Sequence, residues 1–521
     1  MLILALVLQA PLPTPADTPR PAHDALHYAI SVTLPDSGRS ISAEVRTRWR
    51  LLSGDPIRVE LDSALRVRQV LIGGRAARGW TQGDDLVLVP NPGRAGDTVE
   101  TVIRYGGVPR DGLVIRDSAG RFTAFSDNWP NRAHRWFPSQ DHPGDKATAS
   151  FAVTAREGIE VIANGRLDGI DRRGAHRVWR YSIAEPIPVY TMVIGAADFA
   201  RAELKPACAV RCVPVAVWTY PEDSAWAAAG PFRRASEIVD YFSTLVGEFP
   251  YEDLTHVQSS TIFGGMENST AIFYAEDAYR RHRLGEGTVA HETAHQWFGD
   301  AVTEAEWSHL WLSEGFATYF AGLWQEHVGG DSALRAYMSG QARGIFRSSA
   351  TERPILDQQP DLMALLNSNN YNKGAWVLHS LRGLLGDSVF FAGIREYYRR
   401  FRNRTALSDD FKRVMEEVSG QDLDWYFRQA LTQPGYPKLA VRVTWDSAAH
   451  RVILRVRQTQ KMAWGTYRLP GFELLIDDLL VRVDLDDRES EFTFDQFAEP
   501  VKAVEVDPNG WWLAEVEVVK G

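Results

Sequence analysis

Between Val289 and Phe320 the chain reads V-A-H-E-T-A-H-Q-W-F-G-D and, after a short connection, L-W-L-S-E-G-F-A-T-Y-F. His291 and His295 stand four residues apart, so on a helix their imidazoles lie one above the other on a single face. Glu292 is about 100° further round, at the edge of that face, where it suits a base better than a ligand. Eighteen residues separate His295 from Glu314, enough for a helix to end, turn and return antiparallel with a carboxylate. Two imidazoles and one carboxylate leave a fourth tetrahedral position open, the catalytic form of a Zn²⁺ site with one ion per chain. A His pair on a wet helix face is the plain alternative, and the later Glu on its own amphipathic helix weighs against it.

At 521 residues the chain is too long for one core. Its 45% hydrophobic and 24% charged residues are those of an ordinary globular protein. A net charge of -10 provides no basic face for nucleic acid. No apolar run is long enough to span a bilayer, so no stable membrane insertion is expected. The start, M-L-I-L-A-L-V-L-Q-A before a Pro-rich tract, resembles a secretory signal without its basic n-region. Export to the periplasm or medium is the expectation, with a cytoplasmic location as the alternative. Cys208 and Cys212, the two cysteines, are spaced to permit a local disulfide in an exported protein.

The hydrophobic period predicts a multidomain α+β protein. Residues 1–22 are a signal-like segment. Residues 23–205 alternate with period two, as in Ile57, Val59 and Leu61, and predict a mostly antiparallel β saddle or sandwich. Residues 206–433 are mixed α/β: Ile238, Tyr241, Phe242 and Leu245 fall at helical spacing, and Ser408 is placed as an N-cap. Alternation returns in residues 434–521, a small C-terminal β-sandwich.

Two further stretches carry chemistry. In V-Q-S-S-T-I-F-G-G-M-E-N, Gly264 and Gly265 let another backbone approach and pair, as an edge strand does with an added peptide. Glu267, between Met266 and Asn268, is then available to a peptide's free α-ammonium group. In Asn370-Tyr371-Asn372-Lys373-Gly374, a Tyr at a helix entry can aim its hydroxyl at a developing oxyanion. A surface turn and a packed helix-cap Tyr are the plain readings of these two stretches taken singly.

In this order the motifs resemble the M1 family of zinc aminopeptidases, gluzincins that include alanyl aminopeptidases and leukotriene A4 hydrolase. The resemblance rests on Gly264-Gly265-Met266-Glu267-Asn268, on His291-Glu292-x-x-His295 with Glu314, and on Tyr371-x-Lys373-Gly374. It extends to Trp136-Phe137-Pro138-Ser139-Gln140-Asp141-His142-Pro143 and to Gln433-Pro434-Gly435-Tyr436-Pro437. It implies a thermolysin-like catalytic domain, Zn²⁺ on His291, His295 and Glu314, Glu292 as general base for a zinc-activated water, and Tyr371 stabilising the oxyanion. Glu267 would bind the amine, and Gly264 and Gly265 would line the cleft for peptides with a free N-terminus.

Several positions depart from the family pattern. Ser139 and His142 replace a Cys and an acid. Ala321 stands where a second acid is common after the ligand Glu, which leaves the imidazoles without a named partner. Trp129 occupies the place of a second amine anchor, so Asp127, Asn128 or the Trp129 face is the candidate for that task. The chain ends after its small β domain, and a short form with a more open cleft is the expectation. Competing readings are an epoxide hydrolase of the leukotriene A4 type, a thermolysin-like endopeptidase and a non-catalytic scaffold. Glu267 opposes the endopeptidase, and the full set of ligands and base opposes the scaffold.

Overall fold

The computed structural model describes residues 22–118, 121–497 and 499–520. The signal-like segment lies outside the described residues. The chain divides into two compact units, one of residues 22–307 with Tyr398–Ala406, the other of Ser308–Tyr397 with residues 407–520.

The first unit is built on an eight-stranded sheet, several of whose strands alternate between core and solvent. Ile41–Leu51 buries every second side chain from Ile41 to Leu51, the pattern of a sheet with one wet face. Tyr28, Trp49 and Phe137 pack edge-to-face beneath it, with centroids 6.3 and 6.0 Å from Tyr28. The sheet is mostly antiparallel, as expected, with one parallel pair. His23–Thr33 pairs antiparallel with Ile41–Leu51 but parallel with Lys146–Arg156. A hairpin can supply only the first neighbour; the second arrives after a long excursion, which frees its direction.

A five-stranded sheet follows in the same unit. Val215–Thr219, Leu254–Ser259 and Ala271–Ala275 run parallel, and the two-residue strand Gly265–Met266 pairs antiparallel at the edge. The helices Ala235–Val246 and Glu286–His295 belong to this part. Cys208 and Cys212 are joined in a disulfide on the way into it, within a loop closed by the bridge between Ala207 and Val213.

In the second unit the helix Trp311–Gly329 is buried along its first fourteen residues, so it reads as apolar nearly all round rather than as a stripe. A π-turn at Asn369–Lys373 leads into the helix Gly374–Leu385. The helix Ser408–Ser419 begins at Ser408 itself rather than being capped by it. Asp410 accepts the Leu407 N–H at 2.9 Å, and the Ser408 hydroxyl accepts the Trp311 indole N–H at 2.8 Å. Beyond it, a four-stranded and a three-stranded sheet close over one apolar cluster containing Leu439, Leu454, Phe472 and Leu474, the expected sandwich.

Candidate active site

The helix Glu286–His295 carries three of the candidate side chains, His291, Glu292 and His295. Its two histidines lie on one face as their spacing requires and meet edge to face, with ring centroids 4.7 Å apart and their Nε2 atoms 3.1 Å apart. The His295 Nδ1 lies 3.1 Å from the Phe298 carbonyl oxygen. A carbonyl only accepts, so Nδ1 donates its proton there, and Nε2 is the ring nitrogen that faces His291. This is the outer partner that the sequence left unnamed for one imidazole. The turn that supplies it depends on Gly299, whose φ of +124° reverses the chain just after Phe298.

Glu292 and Glu267 come to the same place. The ligand atoms of Glu267, Glu292 and His295 all lie within 4.8 Å of one another, and all three residues are buried. Gly265 makes this approach possible: a Cβ there would overlap the Glu292 carboxyl group. Gly264 has no such requirement, since a Cβ on it meets nothing within 4 Å. Its carbonyl accepts the Ala275 N–H at 3.4 Å. Met266 and Asn268 are buried, and the Asn268 carbonyl accepts the Ala271 N–H at 3.0 Å, closing the turn that presents Glu267.

The three candidates for a second amine anchor have other partners. Asn128 donates to the Met192 carbonyl at 2.6 Å and accepts the Trp136 indole N–H at 2.9 Å, which engages both ends of its amide. Trp129 is 2% exposed and packs edge-to-face against Phe263 and Trp307, each at 5.8 Å, with no open face for an ammonium group. Asp127 pairs with Arg132 at 2.9 Å and accepts the Ile262 N–H at 3.2 Å. Burial pushes its carboxyl above the usual range against the pull of Arg132. It anchors the loop that leads into Gly264-Gly265.

In the second unit the Tyr371 hydroxyl donates to Glu314 Oε1 at 2.7 Å. Two glycines bring this pair together. A Cβ on Gly315 would stand 2.9 Å from Gly374 Cα, and one on Gly374 would stand 2.9 Å from Gly315 Cα. The helices Trp311–Gly329 and Gly374–Leu385 therefore touch backbone to backbone one residue after Glu314 and three after Tyr371. Lys373 donates to the Gln433 carbonyl at 3.1 Å, tying the Tyr turn to the Q-P-G-Y-P stretch. Burial pulls its amine down to about 7. Ala321 is buried in the helix wall.

The sequence reading passed over Gly315, Gln296 and Asn164. A signal existed for Gly315, which adjoins Glu314 inside a helix where Gly costs stability without a packing reason. None existed for Asn164, which sits far from every motif.

Comparison with known structures places this arrangement in the fold of the M1 zinc metallopeptidase from Deinococcus radiodurans. The TM-score is 0.72 at 24% identity, over 80% of this chain and 95% of that one. Another structure of that protein, described as a mutant bound to Tyr-Ser-Ala substrate, aligns with a TM-score of 0.69 at 23% identity over 79% and 94%. Residues 233–429 match the peptidase family M1 domain. Among curated relatives it is 26% identical over 431 residues to a probable aminopeptidase of Sulfurisphaera tokodaii, covering 76% of this chain and 52% of the relative. It is 25% identical over 359 residues to a leucyl aminopeptidase of Saccharolobus solfataricus, covering 64% and 43%. The chain thus spans about half the length of the curated relatives it matches.

Proposed function

We propose that this protein is a zinc-dependent aminopeptidase that removes the first residue from peptides with a free α-amine. The observation that carries the reading is the convergence of the His291 and His295 Nε2 atoms at 3.1 Å, with Glu292 and Glu267 buried beside them. The names of the curated relatives, and the peptide held by a structural neighbour, agree with it.

The donor set suits Zn²⁺: the imidazoles of His291 and His295, the second oriented by the Phe298 carbonyl, and the Glu314 carboxylate as the third ligand. Bound there, the ion would polarise the scissile carbonyl and lower the pKa of a water. Glu292 takes the proton from the attacking water and delivers it to the departing amine. Glu267 pairs with the substrate's α-ammonium group, and the edge strand Gly265–Met266 pairs with its backbone. Tyr371 donates its hydroxyl to the oxyanion, giving up Glu314 as acceptor. We place the protein outside the reducing cytosol, a reading that the Cys208–Cys212 disulfide supports.

The test is a panel of aminoacyl chromogenic amides, free and N-acetylated, with and without a chelator. Cleavage confined to the free-amine set and abolished by chelation is expected. Equal cleavage of the blocked set would make the protein an endopeptidase, and silence in both would make it a scaffold.

A further inference from the structure

Thr270 has a φ of +66°, a conformation that a β-branched residue adopts only when its surroundings impose it. It closes the four-residue loop Glu267–Thr270. The Thr270 N–H donates to Gln296 Oε1 at 2.8 Å, its hydroxyl accepts the Gly165 N–H at 2.7 Å, and its carbonyl accepts the Thr255 N–H at 2.8 Å. At the other end of the loop, Gln296 Nε2 donates to the Glu267 carbonyl at 3.0 Å, and also to Asp300 Oδ2 at 2.9 Å. Between them, Asn164 Nδ2 donates to the Ser269 carbonyl at 2.7 Å. Gln296 and Asn164 are both 0% exposed.

We propose that Gln296 and Asn164 are positioning residues that fix where Glu267 holds the substrate's amine, and so how many residues an aminopeptidase of this site removes; this rests on the function proposed above. Gln296 directly follows His295, so its two bonds to the loop register Glu267 against the helix that carries His291, Glu292 and His295. Asn164 registers the same loop against the end of the strand Glu160–Ala163. Both clamps are amides that grip the loop by its backbone, Gln296 at Glu267 and Thr270 and Asn164 at Ser269. A strained residue held by three hydrogen bonds has one well-defined place, whereas a relaxed loop would let the amine anchor wander along the cleft.

Three variants of the full chain test this: Gln296→Met, which keeps the shape and removes the bonds; Gln296→Glu, which keeps the acceptor for Thr270; and Thr270→Val, which removes one hydroxyl without opening a cavity. Two readouts are taken, kinetics on a free-amine aminoacyl amide and hydrogen exchange at the Thr270 amide. Gln296→Met is expected to raise KM about tenfold with kcat within about threefold, and to speed Thr270 exchange at least about tenfold. Gln296→Glu should restore the Thr270 protection, and Thr270→Val should raise KM about threefold. Unchanged KM and exchange in Gln296→Met overturn the proposal. So does a fall in kcat at constant KM, which would mean that Gln296 acts through His295. If the wild type cleaves no free-amine substrate, the aminopeptidase reading fails, while the exchange rates still decide whether Gln296 holds the loop.

Discussion

Glu292 is the side chain on which the proposed chemistry turns, and its replacement separates chemistry from binding. Glu292→Gln keeps the shape and the buried contacts but cannot take a proton. A loss of kcat of about 10²- to 10⁴-fold with little change in KM is expected on a free-amine amide substrate. Gly265→Ala asks a different question, because its methyl group would overlap the Glu292 carboxyl. A displaced base costs about a hundredfold in kcat/KM when the shift is near 1 Å; retention of activity within about threefold would show that the carboxylate is free to move. Tyr371→Phe removes the hydroxyl that donates to Glu314 at 2.7 Å. The expected signature is a fall in kcat of about 10²- to 10³-fold, read in the same assay.

At the scale of elements, the site depends on two close approaches that glycine allows. The edge strand Gly265–Met266 closes on the helix Glu286–His295, and Trp311–Gly329 closes on Gly374–Leu385. Gly374→Ala forces the second pair apart at a 2.9 Å backbone contact that has no flexible side chain to yield. Overpacking of this kind costs about 1–3 kcal/mol, and urea unfolding should show it as a lower midpoint with an unchanged slope. The glycines themselves were plain in the sequence, in G-G-M-E-N, S-E-G-F and Y-N-K-G. Their partners were not, because a glycine records that something comes near and never says what. The parallel pairing of His23–Thr33 with Lys146–Arg156 was hidden for a similar reason: alternation reports which face of a strand is wet, and is the same in either direction.

For the whole molecule, one group through which pH acts is Lys373, buried at 4% exposure, whose amine is brought from 10.5 to about 7 by loss of water. In the unfolded chain it titrates at its ordinary value. Between about pH 7 and 10.5 the unfolded state holds a proton that the folded state lacks, so this group's contribution to stability rises with pH across that window and is lowest below it. Lys373→Met removes the effect. Unfolding free energies of wild type minus variant should climb by on the order of a few kcal/mol from pH 7 towards pH 10, and a constant difference would count against a buried neutral amine. No helix among the described residues is long and apolar enough to cross a membrane.

The proposed class of chemistry was legible in residues close in sequence, or at fixed helical spacing: His291, Glu292 and His295, the Glu at eighteen residues, and Glu267 in its glycine-rich turn. Helical geometry converts such spacing into direction without knowledge of the rest of the chain. What only the tertiary structure decided is what surrounds those groups. The Phe298 carbonyl orients His295, Gln296 holds the strained Thr270 while Asn164 holds the Ser269 carbonyl beside it, and Asn128 and Trp129 are taken up in packing rather than left for an amine. Each of these depends on which buried polar groups find partners across long stretches of chain, and hydrogen-bond partners of that kind leave no period and no motif to read.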